Sequence, residues 1–366
     1  MIAPRYLFAV TLTGGHAVPA LAVAETLRRR RPEADICFVG LSHGVEARMV
    51  PRSGFRFESV PVMGLRRQLH PDLLRFPWVL ARGAYGSLKL VSSFRPDVVF
   101  CTGGYVSGPI GASARLRGVP LVLHEQNSFP GLTMRLLSRG ASQVYTAFKE
   151  AVHRLGGLSR EAVGNPTRGG WRRLERAEAR SRFGLDPAGV VLLVVGGSQG
   201  ARGINRAVAS SLPGLIAKGI QILWQTGKPG YDAALAVVQD RQDRVVVRDF
   251  IDDMEAAYSA ADLALTRAGG MTLAEQSLLG VPAVLVPLPT ATENHQEHNA
   301  RSRVRAGAAR MIREAELDAD RLLDDVGQLT GDPEALAEMG RRTRKLASPD
   351  AAERIVDEMD RAGLLG

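Results

Sequence analysis

The chain has 366 residues, of which 45% are hydrophobic and 23% charged; this is long enough for two domains and ordinary for a globular protein. Its net charge of +9 is uneven: residues 1–164 hold 21 Lys and Arg against 10 Asp and Glu, whereas the rest hold 26 against 28. No run reaches the roughly 18 apolar residues that a spanning helix needs, and the N-terminus carries no signal-peptide pattern, so an integral membrane protein is not expected. The basic first half is expected to face something anionic: phosphates, nucleic acid or a negative lipid surface. Cys37 and Cys101 sit within apolar runs and read as buried free thiols of a cytosolic protein.

In chain order, residues 6–11 read as a strand, 13–16 as a glycine turn and 19–30 as a helix, with Pro19 in its first turn. Strands follow at 36–39, 98–101 and 121–124; the second of these leads into another glycine-rich turn, 103–108, and the third into His124-Glu125-Gln126-Asn127. A turn-rich linker spans 163–170. The second half restarts with an apolar strand at 190–195, a glycine turn at 196–200 and a helix through 205, then strands at 221–225, 245–247, 263–265 and 283–286. Between the last two, the turn 268–270 opens a helix, 271–279, that stops at Gly280. Strand, turn and helix repeating in this way predict parallel α/β sheets. The internal duplication predicts an α/β protein of two Rossmann-like domains facing a cleft, with boundaries at 1–163 and 164–349. The last helix, within 350–366, is expected to pack back on the first domain.

The chemistry concentrates at the glycine turns. A helix beginning after Ala268-Gly269-Gly270 presents backbone N–H groups that attract phosphate. Glu275 lies far enough along that helix to accept two ribose hydroxyls, or it simply favours the positive end of the helix dipole. The turn 196–200 can cradle a diphosphate, with Ser198 as an added donor. It departs from GxGxxG and lacks the acidic residue about 20 positions on that a nicotinamide site uses. His16 reads as a general base or as a helix-entry residue bonded to backbone. Asp252-Asp253 fit a helix start better than a metal pair. His295 and His298 have a metal-compatible spacing but no third ligand nearby, so no metal is expected.

The segment 69–85 mixes Leu73, Leu74, Phe76 and Trp78 with Arg75 and Arg82 and follows Arg66-Arg67. It suits an anionic membrane surface, or a buried helix whose arginines reach outward. Nucleic acid is not expected, because no recognition helix or aromatic–basic interleaving stands out.

Together, TGGHAVPALAVA (13–24), TGGYVSGP (102–109), HEQN (124–127), GNPTR (164–168), GGSQGARGIN (196–205), FIDDM (250–254), TRAGGMTLAE (266–275) and HQEHNA (295–300) resemble the MurG family. These are the undecaprenyl-diphospho-muramoylpentapeptide N-acetylglucosaminyltransferases of bacterial peptidoglycan synthesis, in glycosyltransferase family 28. The resemblance implies a GT-B fold, with UDP-N-acetylglucosamine (the donor substrate, no cofactor being required) held chiefly by the second domain. It implies an undecaprenyl-diphosphate acceptor on the first domain, and a peripheral place on the cytoplasmic face of the plasma membrane, with cell-wall enzyme complexes as further partners.

By the same resemblance, Ile251 meets the uracil through its backbone and Glu275 meets the ribose. Ser198, Gly270, Met271 and Thr272 meet the diphosphate, with Leu273 and Ala274 beside them. Asn127, Arg168 and Gln296 lie around the donor and Asn299 near its sugar. Thr13, Gly14 and Gly15 line the cleft, His16 is the candidate base, and Gly104, Tyr105 and Glu125 serve the acceptor. Thr11 and Leu12 stand where the family often has glycines, which stiffens the start of that loop. Another GT-B transferase with a lipid acceptor, a UDP-sugar 2-epimerase and a non-catalytic cell-wall scaffold are the competing readings.

Overall fold

The computed structural model describes residues 3–11, 14–62, 76–155, 162–241 and 243–365. The chain forms two compact units, residues 1–169 with 348–366, and residues 170–347. The first alternates β1 (Arg5–Ala9), α1 (Gly14–Arg30), β2 (Asp35–Gly40), α2 (Glu46–Arg52), β3 (Arg56–Ser59) and α3 (Phe76–Phe94). It continues with β4 (Val98–Cys101), α4 (Gly104–Leu116), β5 (Leu121–Glu125), α5 (Leu132–Ser138), β6 (Gln143–Thr146) and α6 (Lys149–Val152).

The second unit opens with α7 (Arg176–Ser181), β7 (Val190–Val195), α8 (Arg202–Ala217), β8 (Ile220–Gln225), α9 (Tyr231–Val238) and β9 (Val245–Arg248). Then come α10 (Met254–Ala260), β10 (Leu263–Thr266), α11 (Gly270–Leu279), β11 (Ala283–Leu285), α12 (His295–Arg305) and β12 (Ala309–Met311), and finally α13 (Ala319–Thr330) and α14 (Pro333–Lys345). The closing helix α15 (Ala351–Arg361) belongs to the first unit.

Among the described residues each unit holds one six-stranded parallel sheet, ordered β3-β2-β1-β4-β5-β6 and β12-β11-β10-β7-β8-β9. Counted from each unit's own first strand, both follow the doubly wound order 3-2-1-4-5-6. The order reverses between β1 and β4 and between β7 and β10. In open α/β sheets the loops leaving the carboxyl ends of such a strand pair form the ligand crevice. All four glycine turns singled out in the sequence leave these four strands.

Two of those turns are shorter than the sequence suggests. Helix α1 already begins at Gly14, so His16 lies in its first turn and Pro19 in its interior. That proline removes only the N–H that would bond the Gly15 carbonyl, which a helix near its start tolerates. Likewise α4 begins at Gly104, so Tyr105, Val106, Ser107 and Gly108 are helical, and Gly103 and Gly104 make the turn with φ of +94° and +75°. The strands β3, β6 and β12 have no counterpart in the sequence reading. They are three or four residues long and carry polar residues such as Arg56, Glu58, Gln143 and Arg310, so no apolar run marks them.

The first core stacks Phe8 on Phe38 and against Phe100, with ring centroids 5.0 and 5.1 Å apart. The same cluster takes in Leu21, Ala24 and Leu27 of α1 and Ile355, Val356 and Met359 of α15. Tyr6 donates its hydroxyl to the Leu365 carbonyl at 2.9 Å. Arg29, Arg30 and Arg31 pair with Glu353, Asp357 and Asp360 along the exposed edge of that contact, where each pair adds little. The apolar face of α15 therefore holds it. Ile355→Ala should lower unfolding free energy by about 2–5 kcal/mol in urea titration, whereas Asp357→Asn should cost under about 1 kcal/mol.

Candidate functional site

In the first unit the chain builds a polar cluster where β1, β4 and β5 end. His16 Nδ1 lies 2.7 Å from the Thr102 carbonyl and 3.1 Å from Gln126 Oε1. Both are acceptors, so Nδ1 carries the ring proton. Gln126, 3% exposed, donates through Nε2 to the His124 carbonyl at 2.8 Å and to His124 Nδ1 at 3.0 Å. His124 is fully buried and bonds the Gly164 carbonyl through Nε2 at 3.0 Å. Burial pushes the His124 imidazole down to about 4, so it is neutral at working pH.

Glu125 turns inward. One carboxylate oxygen accepts the Asn127 backbone N–H at 2.9 Å and its Nδ2 at 3.1 Å, and the other accepts the Gly131 N–H at 3.3 Å. The carboxylate thus shapes the loop that carries Asn127. Desolvation pushes its pKa up to about 7 in spite of those bonds. Thr11, buried where a glycine was the alternative, accepts the Val106 N–H at 3.1 Å and packs against Gly104, so its hydroxyl caps the start of α4 from outside the helix. Tyr105 is half exposed beside it, and Gly14 and Gly15 open α1. Arg168 pairs with Glu25 of α1 at 2.7 Å. Thr13, Leu73 and Leu74 lie outside the described residues, and of Phe76 only the helical backbone is described.

In the second unit, Gly197 and Gly200 take φ of +93° and +73°, and a Cβ on Gly200 would overlap the Thr226 carbonyl. Glycine is therefore required where the turn touches β8. Gln225, 2% exposed, ties two loops: Nε2 donates to the Gly197 carbonyl at 3.2 Å and Oε1 accepts the Ile251 N–H at 2.9 Å. Ser198 is exposed at the tip of its turn. Helix α11 starts after Gly269, whose lack of a side chain leaves the approach to its N-terminus clear, so its first turn, through Met271 and Thr272, favours an anion. Leu273 is buried beneath that first turn and Ala274 half-buried.

Asn299 is completely buried and donates to the Ala268 carbonyl at 3.0 Å, which fixes the turn from below. Gln296 accepts the Leu288 N–H at 3.0 Å. Glu275 is half-buried on α11 and accepts the hydroxyl of the buried Tyr258. Desolvation pushes this carboxyl up to about 7, the tyrosine hydrogen bond offsetting part of the rise. Asp253 caps α10 by accepting the Ala256 N–H at 2.9 Å, in keeping with the helix-start reading.

Gln225 and Tyr258 are the members of these clusters that sequence reasoning missed, whereas His124 and Gln126 stand within the HEQN segment it singled out and are buried in the structure. A faint signal exists for Gln225, a glutamine ending the apolar run IQILWQ. Tyr258 gives none, because its partner comes from another helix.

Two doubly wound parallel sheets, each with glycine turns at its switch point and one with a glycine-led helix start, define the GT-B class of glycosyltransferase. A solved structure of Acinetobacter baumannii MurG superimposes with a TM-score of 0.77 at 29% identity, covering 98% of this chain and 99% of that one. A UDP-N-acetylglucosamine 2-epimerase structure matches at 0.70 but only 16% identity, over 99% and 97%, which reflects the shared fold. Residues 6–146 match the Glycosyltransferase family 28 N-terminal domain and residues 191–355 its C-terminal domain. The UDP-N-acetylglucosamine–N-acetylmuramyl-(pentapeptide) pyrophosphoryl-undecaprenol N-acetylglucosamine transferase of Salinibacter ruber is 42% identical over 98% of this chain and 96% of its own. Its counterpart from a Nocardioides species is 41% identical over 96% of both chains. The chain belongs to the MurG branch of glycosyltransferase family 28.

The raised Glu125 carboxyl sets a pH dependence. Near pH 4.5 and below, folded and unfolded chains both hold its proton. As pH rises the unfolded carboxyl ionises first, while the folded one keeps its proton until about 7, so folding stability falls across that window. Urea titrations from pH 4.5 to 8 should show the native protein losing up to about 3 kcal/mol more than Glu125→Gln. Parallel curves would contradict the assignment.

Proposed function

We propose that the enzyme transfers N-acetylglucosamine from its UDP form to the C4 hydroxyl of undecaprenyl-diphospho-N-acetylmuramoyl pentapeptide, with inversion at the anomeric carbon. The observation that carries the donor half is α11: a glycine-led N-terminus at the switch point with Glu275 one to two turns further on, steadied by Tyr258. An N-terminus of this kind favours a diphosphate, and a carboxylate at that distance suits a ribose. The Ile251 N–H is already taken by Gln225, so the Ile251 carbonyl is the group that would accept from the uracil. Gln296 and Ser198 complete the donor contacts of this unit. Asn299 supports the donor turn from within.

In this reading the acceptor hydroxyl attacks the anomeric carbon on the face opposite UDP, and His16 takes its proton through Nε2. Negative charge growing on the leaving diphosphate is met by the first N–H groups of α11 and by Ser198. Gly104 and Tyr105 would serve the acceptor's own diphosphate.

No helix among the described residues is long and apolar enough to cross a membrane. On α3, however, Trp78 is 75% exposed, and Arg82, Tyr85 and Lys89 share its face at helical spacing. An aromatic and basic stripe of this kind suits the headgroup region of an anionic bilayer, where a lipid-borne acceptor would be met. We place the enzyme peripherally on the cytoplasmic face of the bacterial plasma membrane.

The direct test supplies radiolabelled UDP-N-acetylglucosamine and a short-chain lipid acceptor and looks for labelled disaccharide lipid. None formed by folded protein with a validated acceptor would overturn the proposal. Glu275→Ala should raise donor KM at least about tenfold. His16→Ala should lower kcat by roughly a hundredfold or more and leave donor KM near its starting value.

A further inference from the structure

The base proposed above belongs to a chain of groups whose hydrogen-bond directions follow from backbone carbonyls. Three backbone carbonyls anchor it, and a carbonyl can only accept. The Gly164 carbonyl, 3.0 Å from His124 Nε2, requires that nitrogen to be the protonated one, which leaves His124 Nδ1 as an acceptor. The His124 carbonyl, 2.8 Å from Gln126 Nε2, fixes the amide so that its NH2 faces His124 and its oxygen faces His16. The Thr102 carbonyl, 2.7 Å from His16 Nδ1, together with Gln126 Oε1 at 3.1 Å, then requires the proton on His16 Nδ1.

We infer that Gln126 and His124 are positioning residues that hold His16 in the Nδ1–H tautomer, so that its basic lone pair sits on Nε2. Both are buried, and Gln126 meets the ring at Nδ1 while His124 meets Gln126, so they act through His16. The relay is uncharged throughout. His124 is the other titratable member, and its burial-lowered pKa keeps it neutral. Glu125, between the two, directs its carboxylate to the Asn127 and Gly131 N–H groups. A lone imidazole could tumble between tautomers or present the wrong nitrogen. A ring held by a carbonyl and an oriented amide cannot do so without leaving an acceptor facing an acceptor. Gln126 also accepts, through its own carbonyl, the Asn165 side chain at 3.1 Å. The relay is thereby tied to the segment that follows β6.

This inference rests on the reading of His16 as base, but its test separates the two. In protein labelled with nitrogen-15 at histidine, the imidazole signals of His16, assigned by their loss in His16→Ala, report which nitrogen carries the proton. In the resting enzyme at a pH where the ring is neutral, Nδ1 should be pyrrole-like and Nε2 pyridine-like. The opposite pattern overturns the relay whatever the activity.

Gln126→Leu leaves His16 Nδ1 held by the Thr102 carbonyl without the amide, so the ring should loosen, populate the other tautomer in part and lower kcat roughly ten- to a hundredfold with donor KM little changed. Gln126→Glu covers the case in which the leucine variant does not fold. Its carboxylate accepts from His16 Nδ1 and should raise the ring's titration midpoint, moving the acid limb of kcat/KM upward. Unchanged histidine spectra in a folded Gln126 variant would overturn the relay. Full turnover in His16→Ala, with the expected spectra in the native protein, would instead sink the base assignment and leave the relay standing.

Discussion

Each unit depends on a buried glutamine amide at the carboxyl end of a strand. Gln225 closes β8 and joins the turn after β7 to the loop after β9 through one donated and one accepted bond. Gln126 follows β5 and joins the loops after β1 and β5 in the same two-sided way. A buried amide left half-bonded costs about 1–3 kcal/mol per unmet group, so each glutamine specifies one arrangement of its loops. Parallel strands give such a residue its place, because their carboxyl ends bring three or four loops together at the point where strand order reverses.

Around those amides, charge and backbone serve different ends. The glycine-led start of α11 and the glycine turn before α8 favour a diphosphate through backbone dipoles rather than basic side chains. The carboxylates face inward or are partly screened from water, and both Glu125 and Glu275 are pushed up to about 7 by desolvation. Glu125 is fully committed to its own loop, whereas Glu275 keeps one neighbour in Tyr258 and stands only half-buried. The difference in surroundings separates a residue that shapes the backbone from one able to meet a ligand.

Much of this was legible in the sequence, for identifiable reasons. Apolar runs ending in glycine turns marked β1, β4, β7 and β10, and Gly280 in the left-handed conformation ended α11 where the sequence placed its stop. Short polar strands such as β3 and β12 were silent, because their pairing is a property of the neighbouring strands. Turn lengths at 13–16 and 103–108 were overestimated, since glycine and an interior proline read as loop while helices α1 and α4 run through them. Thr11, which seemed only a stiffening departure from glycine, turns out to cap α4 with its hydroxyl. Side chains whose partners come from distant elements, Gln225 and Tyr258 among them, stayed invisible, and Gln126 showed only as part of a polar segment, because no local pattern encodes a tertiary hydrogen bond.

The claim that buried amides hold these loops ready for the ligand is tested most directly at Gln225, which is isolated from any reacting atom. Calorimetric titration of UDP-N-acetylglucosamine into the native enzyme and into Gln225→Leu measures it. Affinity should fall at least tenfold in Gln225→Leu, because the Gly197 carbonyl and Ile251 N–H lose their shared partner. Affinity within twofold of the native enzyme, in a variant shown to be folded, would contradict it.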